Sequence, residues 1–297
     1  MKCFICPKNC GADRDNGEIG ACGVDNKIYI SRVSLHMWEE PCISGESGSG
    51  TVFFYGCPLG CVYCQNSKIS RVNRNNLDLM PDQKIYTTDE LADAFIKLQS
   101  EGANNINLVT PTHYSYQIID AIKTARNKGL TLPIVYNCSG YEKLETLMAL
   151  DGLIDIYLTD FKYMNDELAK KYSYVTNYSE IAKTALKEML RQRPECEFND
   201  AGMMTKGVIV RNLLLPLNVR NSESVVKYVY ETYGDSMYLS LMNQYTPMEQ
   251  VADLAPLNRK VTKREYKRLV DFTIALGAKN VFIQEGDVAS ESFIPDF

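Results

Sequence analysis

Three cysteines in the stretch Gly56-Cys57-Pro58-Leu59-Gly60-Cys61-Val62-Tyr63-Cys64-Gln65-Asn66 carry the clearest chemical signal in the chain. Their C-x3-C-x2-C spacing directly follows an apolar run, Thr51-Val52-Phe53-Phe54-Tyr55. Three thiolates on one tight loop suit three irons of a 4Fe-4S cluster and leave the fourth iron open to a cofactor or substrate. Structural zinc asks for four ligands in a closed site. Neither of the two histidines is close in sequence, so a zinc reading needs a distant fourth ligand. Tyr63 is placed either to lay a ring beside a bound nucleotide or to pack against the cluster.

A second set, Cys3, Cys6, Cys10 and Cys22, supplies four soft ligands. Four are sufficient for structural zinc or for a complete second 4Fe-4S cluster, and spacing alone leaves both open. Pro7, Gly11, Gly20 and Gly23 permit the tight turns that either needs. Cys42, Cys138 and Cys196 stand apart, and the latter two read as buried apolar thiols.

The elements that must position these residues come next. After residue 50, apolar runs at 51–55, 106–110, 133–137, 154–160, 207–215, 238–242 and 280–284 predict strands. Amphipathic segments at 89–100, 115–128, 141–150, 179–191, 222–233 and 262–276 predict the helices between them. Thr262 and Glu265 form a capping-box signal for the last. Repeated β-α units predict an α/β fold with a parallel sheet, and six or seven units fall short of the eight of a closed barrel. A partial barrel leaves a side open for a large substrate. Residues 1–50, with one strand-like run at 27–33, read as a small N-terminal Cys-rich metal-binding module. Residues 51–297 read as the barrel domain, with polar loops at 66–88 and 193–206.

Composition bounds the function. Of 297 residues 45% are hydrophobic and 23% charged, and the net charge is −5, which disfavours a nucleic-acid partner. No secretory h-region or membrane-length apolar run is visible. Ten cysteines without an export signal point to a reducing, cytoplasmic setting and to metal ligands rather than disulfides.

The three-cysteine loop, closing a first strand and followed by β-α units, resembles the radical S-adenosylmethionine (radical SAM) superfamily. The passages GSGTVFFYGCPLGCVYCQN, NLVTPTHY, PIVYNCSGYE, DGLIDIYLTDFKY, GVIVRNLLLP and YLSLMNQYTP resemble its PflX-like branch, related to pyruvate formate-lyase-activating enzymes. The resemblance implies a partial (β/α)6 barrel in which Cys57, Cys61 and Cys64 hold a 4Fe-4S cluster. S-adenosylmethionine chelates its open iron, and reductive cleavage yields a 5′-deoxyadenosyl radical that abstracts hydrogen. It further implies a reductant such as a flavodoxin or ferredoxin, and a glycyl-radical enzyme or peptide as substrate. Activating enzymes carry a Gly-Gly-Glu-Pro motif at the second strand end, where this chain has Thr110-Pro111-Thr112-His113. Thr110 and Thr112 then offer oxygens to the cofactor's amino group, and His113 is a candidate to relay a proton or orient substrate. Asn137 and Ser139 at the third strand end, and Asp160 and Lys162 at the fourth, fall where relatives contact the cofactor. Arg211 is a charge inside an apolar strand, expected either to pair with a carboxylate such as Asp160 or to meet cofactor or substrate. Gln244 and Tyr245 end the sixth strand as candidate substrate contacts. The segment Trp38-Glu39-Glu40-Pro41 resembles a family signature without a readable role. Radical chemistry on a small molecule or peptide, and a non-enzymatic structural zinc protein, are the rival readings.

Overall fold

A computed structural model describes residues 2–70 and 84–284. Its strands are β1 (Ile28–His36), β2 (Ser49–Phe54), β3 (Lys84–Tyr86), β4 (Ile106–Val109), β5 (Ile134–Cys138), β6 (Ile156–Asp160), β7 (Glu197–Phe198), β8 (Met204–Leu213), β9 (Tyr238–Met242) and β10 (Val281–Ile283). Its helices are α1 (Pro41–Ser44), α2 (Ser67–Ser70), α3 (Thr88–Ser100), α4 (Ser115–Asn127), α5 (Leu144–Ala149), α6 (Asp166–Ser173), α7 (Tyr178–Gln192), α8 (Val219–Tyr233) and α9 (Lys263–Ala275).

β2, β4, β5, β6, β8, β9 and β10 pair in that order, all parallel, and the sheet stays open. Strands covered on both faces read as continuous apolar runs, which is why they were legible; every residue of β2, β4 and β5 is buried. Helices return the chain between successive parallel strands. Capping boxes start two of them, Thr87 with Glu90 at α3 and Thr262 with Glu265 at α9.

Five short elements lie outside those expected from the sequence, α1 and α2 among them. β3 adds antiparallel to β1 inside the segment read as a polar loop, of which residues 71–83 lie outside the described residues. β7 pairs with the start of β8 inside the loop expected at 193–206. α6 precedes α7 after β6.

Two cores flank the sheet. The larger packs helices against strands. In the smaller, Cys42 and Ile43 of α1 meet Val135, Ile156, Leu158 and Ile209 of β5, β6 and β8. Asn105 and Asn104 amides hold this insert by donating to the carbonyls of Ile43 (2.8 Å) and Ser44 (2.6 Å). The chain's own residues 39–43 therefore fill this part of the sheet's inner side, and the room for a substrate narrows to the strands' C-terminal ends. β1 pairs antiparallel with β2, with His36 opposite Ser49 and Ile30 opposite Phe54. The four N-terminal cysteines all precede it.

Candidate active site

The three-cysteine loop begins where β2 ends. Gly56 turns the chain at φ +88, and a Cβ there would stand 2.8 Å from the Cys22 carbonyl oxygen and 3.0 Å from His113 Nε2. Only glycine fits that approach. The Val62 N–H donates to the Tyr172 carbonyl at 2.8 Å, tying the loop to α6. Each sulfur meets a donor: the Leu59 N–H at Cys57 Sγ (3.4 Å), the Ser173 hydroxyl at Cys61 Sγ (3.0 Å) and the Ser70 hydroxyl at Cys64 Sγ (3.2 Å). Burial pushes the Cys57 thiol up to about 12, and Cys64 also upward. Buried thiols stay protonated unless a cation takes the thiolate, while each already has a donor suited to an anionic sulfur. That donor set fits a thiolate-ligated iron–sulfur cluster.

Cys57, Cys61 and Cys64 line one cleft with Thr110, Asn137, Ser139, Asp160, Lys162 and Arg211. These are ends of successive parallel strands, the position at which β/α folds place their chemistry. Thr110 adopts φ +58, uncommon for a residue with a Cβ, at the cleft wall. Asp160 and Arg211 are register partners on β6 and β8. The Arg211 Nε donates to Asp160 Oδ1 (2.9 Å), Nη1 to Glu39 Oε2 (3.0 Å) and Nη2 to Asn137 Oδ1 (2.6 Å). Lys162 closes the chain on Asp160 Oδ2 at 2.5 Å. Burial alone would raise the Asp160 pKa, but Lys162 and Arg211 beside it hold it below the ordinary carboxylate value. The array is a pre-ordered set of two cations and two carboxylates facing the cleft.

Other sequence-predicted residues fall elsewhere. Tyr63 touches the cleft but is 5% exposed, its hydroxyl 2.7 Å from that of Tyr163, with edge-on contacts to Tyr172 and Tyr245. Thr112 and His113 do not line the cleft. The Thr112 hydroxyl donates to buried Glu142 at 2.9 Å. The His113 Nε2 lies 2.7 Å from the Tyr55 carbonyl, under the Gly56 turn, and burial, with the Arg14 charge adding, lowers its pKa to about 3. It braces the loop as a neutral ring. Gln244 reaches the cleft wall and accepts through its carbonyl from the Gln65 amide (3.0 Å), while Tyr245 is buried.

Of Cys3, Cys6, Cys10 and Cys22, Cys22 meets the loop directly: the Cys57 N–H donates to its carbonyl at 3.0 Å. Among the described residues no three His, Cys, Asp or Glu side chains converge closely enough to hold a single metal ion.

Sequence reasoning left Glu39 without a role. Its Oε1 accepts from the Asn107 and Asn137 amides (3.0 and 3.1 Å), so it joins β4, β5 and β8 at the cleft wall. Two adjacent acids before a proline, Glu39-Glu40-Pro41, were the available signal, with nothing local to neutralise them. Ser70 and Ser173 gave none.

An open parallel sheet with a three-thiol loop at its C-terminal edge defines a β/α fold built around a cluster and a cofactor. The family model described as the Radical SAM superfamily matches residues 51–203, and the chain belongs to that superfamily. Membership implies a 4Fe-4S cluster and S-adenosylmethionine. An uncharacterized protein of Methanocaldococcus jannaschii is 29% identical over 273 residues, covering 91% of this chain and 73% of its own length. A Haemophilus influenzae protein, provisionally named a glycyl-radical enzyme activating enzyme, is 24% identical over 120 residues, 40% of this chain and 43% of its own. The crystal structure of a domain of a pyruvate-formate lyase-activating enzyme from Bacteroides vulgatus is similar at 12% identity and a TM-score of 0.41, covering 58% of this chain and 92% of that one. Among the described residues no helix is long and apolar enough to cross a membrane.

Proposed function

We propose that this radical SAM protein cleaves S-adenosylmethionine reductively in the strand-end cleft and uses the product to abstract hydrogen from a glycyl-radical enzyme. The observation that carries the proposal is that three donor-supplied sulfurs and an ordered charge array face one cleft. The bound cluster and cofactor would supply a 5′-deoxyadenosyl radical. In this reading Cys57, Cys61 and Cys64 hold three irons, with Leu59, Ser70 and Ser173 donating to their sulfurs. Thr110 and Ser139 offer oxygens to the cofactor's amino group, while Lys162 and Arg211 face its carboxylate across Asp160 and Asn137. Lys162 and Arg211 keep Asp160 ionised, and Glu39 fixes Arg211. Tyr63 backs the loop; Thr112 and His113 act on it indirectly.

The partial likeness to the Haemophilus protein supports glycyl-radical activation over other hydrogen donors, as do the PflX-like passages. A low-potential one-electron donor of the flavodoxin or ferredoxin class is the matching partner. The N-terminal cysteines, as a second metal centre in a module distinct from the barrel domain, belong to the same reading.

Anaerobic reconstitution with iron and sulfide, followed by reduction with S-adenosylmethionine present, tests it. The expected products are 5′-deoxyadenosine and methionine in equal amounts. An iron-loaded protein that leaves the cofactor intact, or a preparation that binds only zinc, would refute the proposal.

A further inference from the structure

The N-terminal turns bury a guanidinium against the turn that precedes α4. Arg14 is 3% exposed. Its Nε and Nη2 donate to the Asp25 carbonyl (3.0 and 2.5 Å) and its Nη1 to the His113 carbonyl (2.8 Å). Among the described residues no carboxylate pairs with it. Its guanidinium also lies 5.8 Å from the centroid of the Tyr114 ring, and a buried cation held by neutral carbonyls and a ring is costly unless negative charge stands near it. Sulfur stands near it as well. Cys3 Sγ lies 3.9 Å from Nη1, and a Cβ placed on Gly20 would be 3.3 Å from both Arg14 Cδ and Cys22 Sγ, so these two side chains flank one glycine. Local turns bring the other cysteines in: the Gly11 N–H donates to the Cys3 carbonyl and the Asn9 N–H to the Cys6 carbonyl, each at 3.0 Å. A metal centre ligated by four thiolates carries net negative charge and completes the partnership.

The position of the set favours an iron–sulfur cluster over zinc, because zinc carries no electron. The two sets are joined directly, by the Cys57 N–H to Cys22 carbonyl hydrogen bond and by a pocket that Cys22, Gly23, Cys57 and Pro58 line together. Cys10 is exposed.

We propose that Cys3, Cys6, Cys10 and Cys22 hold a second 4Fe-4S cluster, with Arg14 as its buried counter-charge, that relays electrons to the cluster at Cys57, Cys61 and Cys64. The relay half rests on the function proposed above. One electron enters from a low-potential flavin or iron–sulfur protein, reduces the second cluster and leaves it for the first, so the second cluster ends unchanged and no bond forms or breaks on it.

Metal analysis of the reconstituted full chain is the first test. The expected content is about eight irons per chain and no zinc. About four irons with one zinc overturns the proposal. The second test compares reductants on a Cys10→Ala variant, whose side chain is remote from the cleft. The fall in 5′-deoxyadenosine formation is expected to be at least about tenfold greater with reduced flavodoxin as donor than with dithionite, which can reduce the cluster at Cys57, Cys61 and Cys64 directly. An equal fall with both reductants, or no fall with either, overturns the relay. An Arg14→Gln variant should shift one of two reduction potentials to a more negative value, and two unshifted potentials contradict the counter-charge role. A wild-type chain with about eight irons that cleaves no cofactor under dithionite would sink the proposed function while leaving the second cluster standing.

Discussion

The three-cysteine loop and the N-terminal cysteine turns touch at Cys57 and Cys22, yet their sulfurs and turns are supported differently. The loop is held by remote parts of the chain: Ser173 lies 112 residues from the sulfur it serves, and Tyr172 anchors Val62. The N-terminal turns are shaped by their own neighbours, Cys3 with Ala12 and Gly11, Cys6 with Asn9, and Gly20 with Val24, and are then tied down by Arg14 to the His113 carbonyl, Lys8 to the Tyr174 carbonyl, Lys143 to the Phe4 carbonyl and Thr146 to the Ile5 carbonyl. A site placed by the barrel is tied to the geometry of the strand ends that must receive the cofactor. A site shaped by local turns docks through contacts of its own, which lie apart from the strand ends. The comparison teaches that position, rather than ligand chemistry, separates the two sets.

The largest expected effect tests the loop alone. Cys61→Ala removes the middle thiolate, and 5′-deoxyadenosine formation should drop by more than about a thousandfold. Metal at the N-terminal set should survive, which iron analysis checks. Loss of both would show that the two regions are not separable.

Next comes the barrel frame. Arg211→Leu leaves Glu39 without its cation and should destabilise the protein by about 3–5 kcal/mol in denaturant unfolding. Adding Glu39→Gln should recover at least about 1 kcal/mol, because the stranded charge is gone. An additive double variant would mean that the pair is not coupled. The fragility should be confined to the barrel, with the N-terminal metal unaffected.

Glu142 sits between the regions, accepting from Thr112 and Tyr136. Burial raises its pKa from 4.5 to about 7 against those hydrogen bonds. The folded state therefore keeps a proton that the unfolded chain releases between these values, and stability from this group is full below pH 4.5 and lost as pH rises through 7. Glu142→Gln should remove that loss, worth on the order of 2–3 kcal/mol. His113 has the opposite sign: lowered from 6.5 to about 3, its contribution is full above pH 6.5 and lost as pH falls towards 3. Unfolding curves of wild type and variant across pH 4–8 separate the two; parallel curves would contradict the Glu142 assignment.

The smallest effect is Ser173→Ala. Losing one donor to Cys61 Sγ should cost about 1 kcal/mol and shift the potential of the loop cluster alone. A shift of the other centre instead would invert the assignment of the two regions.

Much of this architecture was legible in the chain because parallel strands covered on both faces must be continuous apolar runs, and β2, β4, β5, β6, β8 and β9 lie within two or three residues of those runs. The superfamily follows from the C-x3-C-x2-C loop, and the β6–β8 register explains why Asp160, with its neighbour Lys162, meets Arg211. What could not be read were contacts of long sequence separation. Glu39 reaches Arg211 across 172 residues, and no period or motif announces it. His113, offered as a proton relay, lies beneath the Gly56 turn because the short 3-10 turn Thr112–Tyr114 rotates it away from the cleft. The three residues of β3 were too few and too exposed to signal a strand.

The central claim is that S-adenosylmethionine binds the open iron of the cluster at Cys57, Cys61 and Cys64. Electron paramagnetic resonance of the reduced, reconstituted protein before and after addition of S-adenosylmethionine tests it most directly. The account requires the signal of one cluster to change on addition, and that signal to be missing in Cys61→Ala. A spectrum left unaltered by the cofactor in the fully iron-loaded wild-type protein would contradict it.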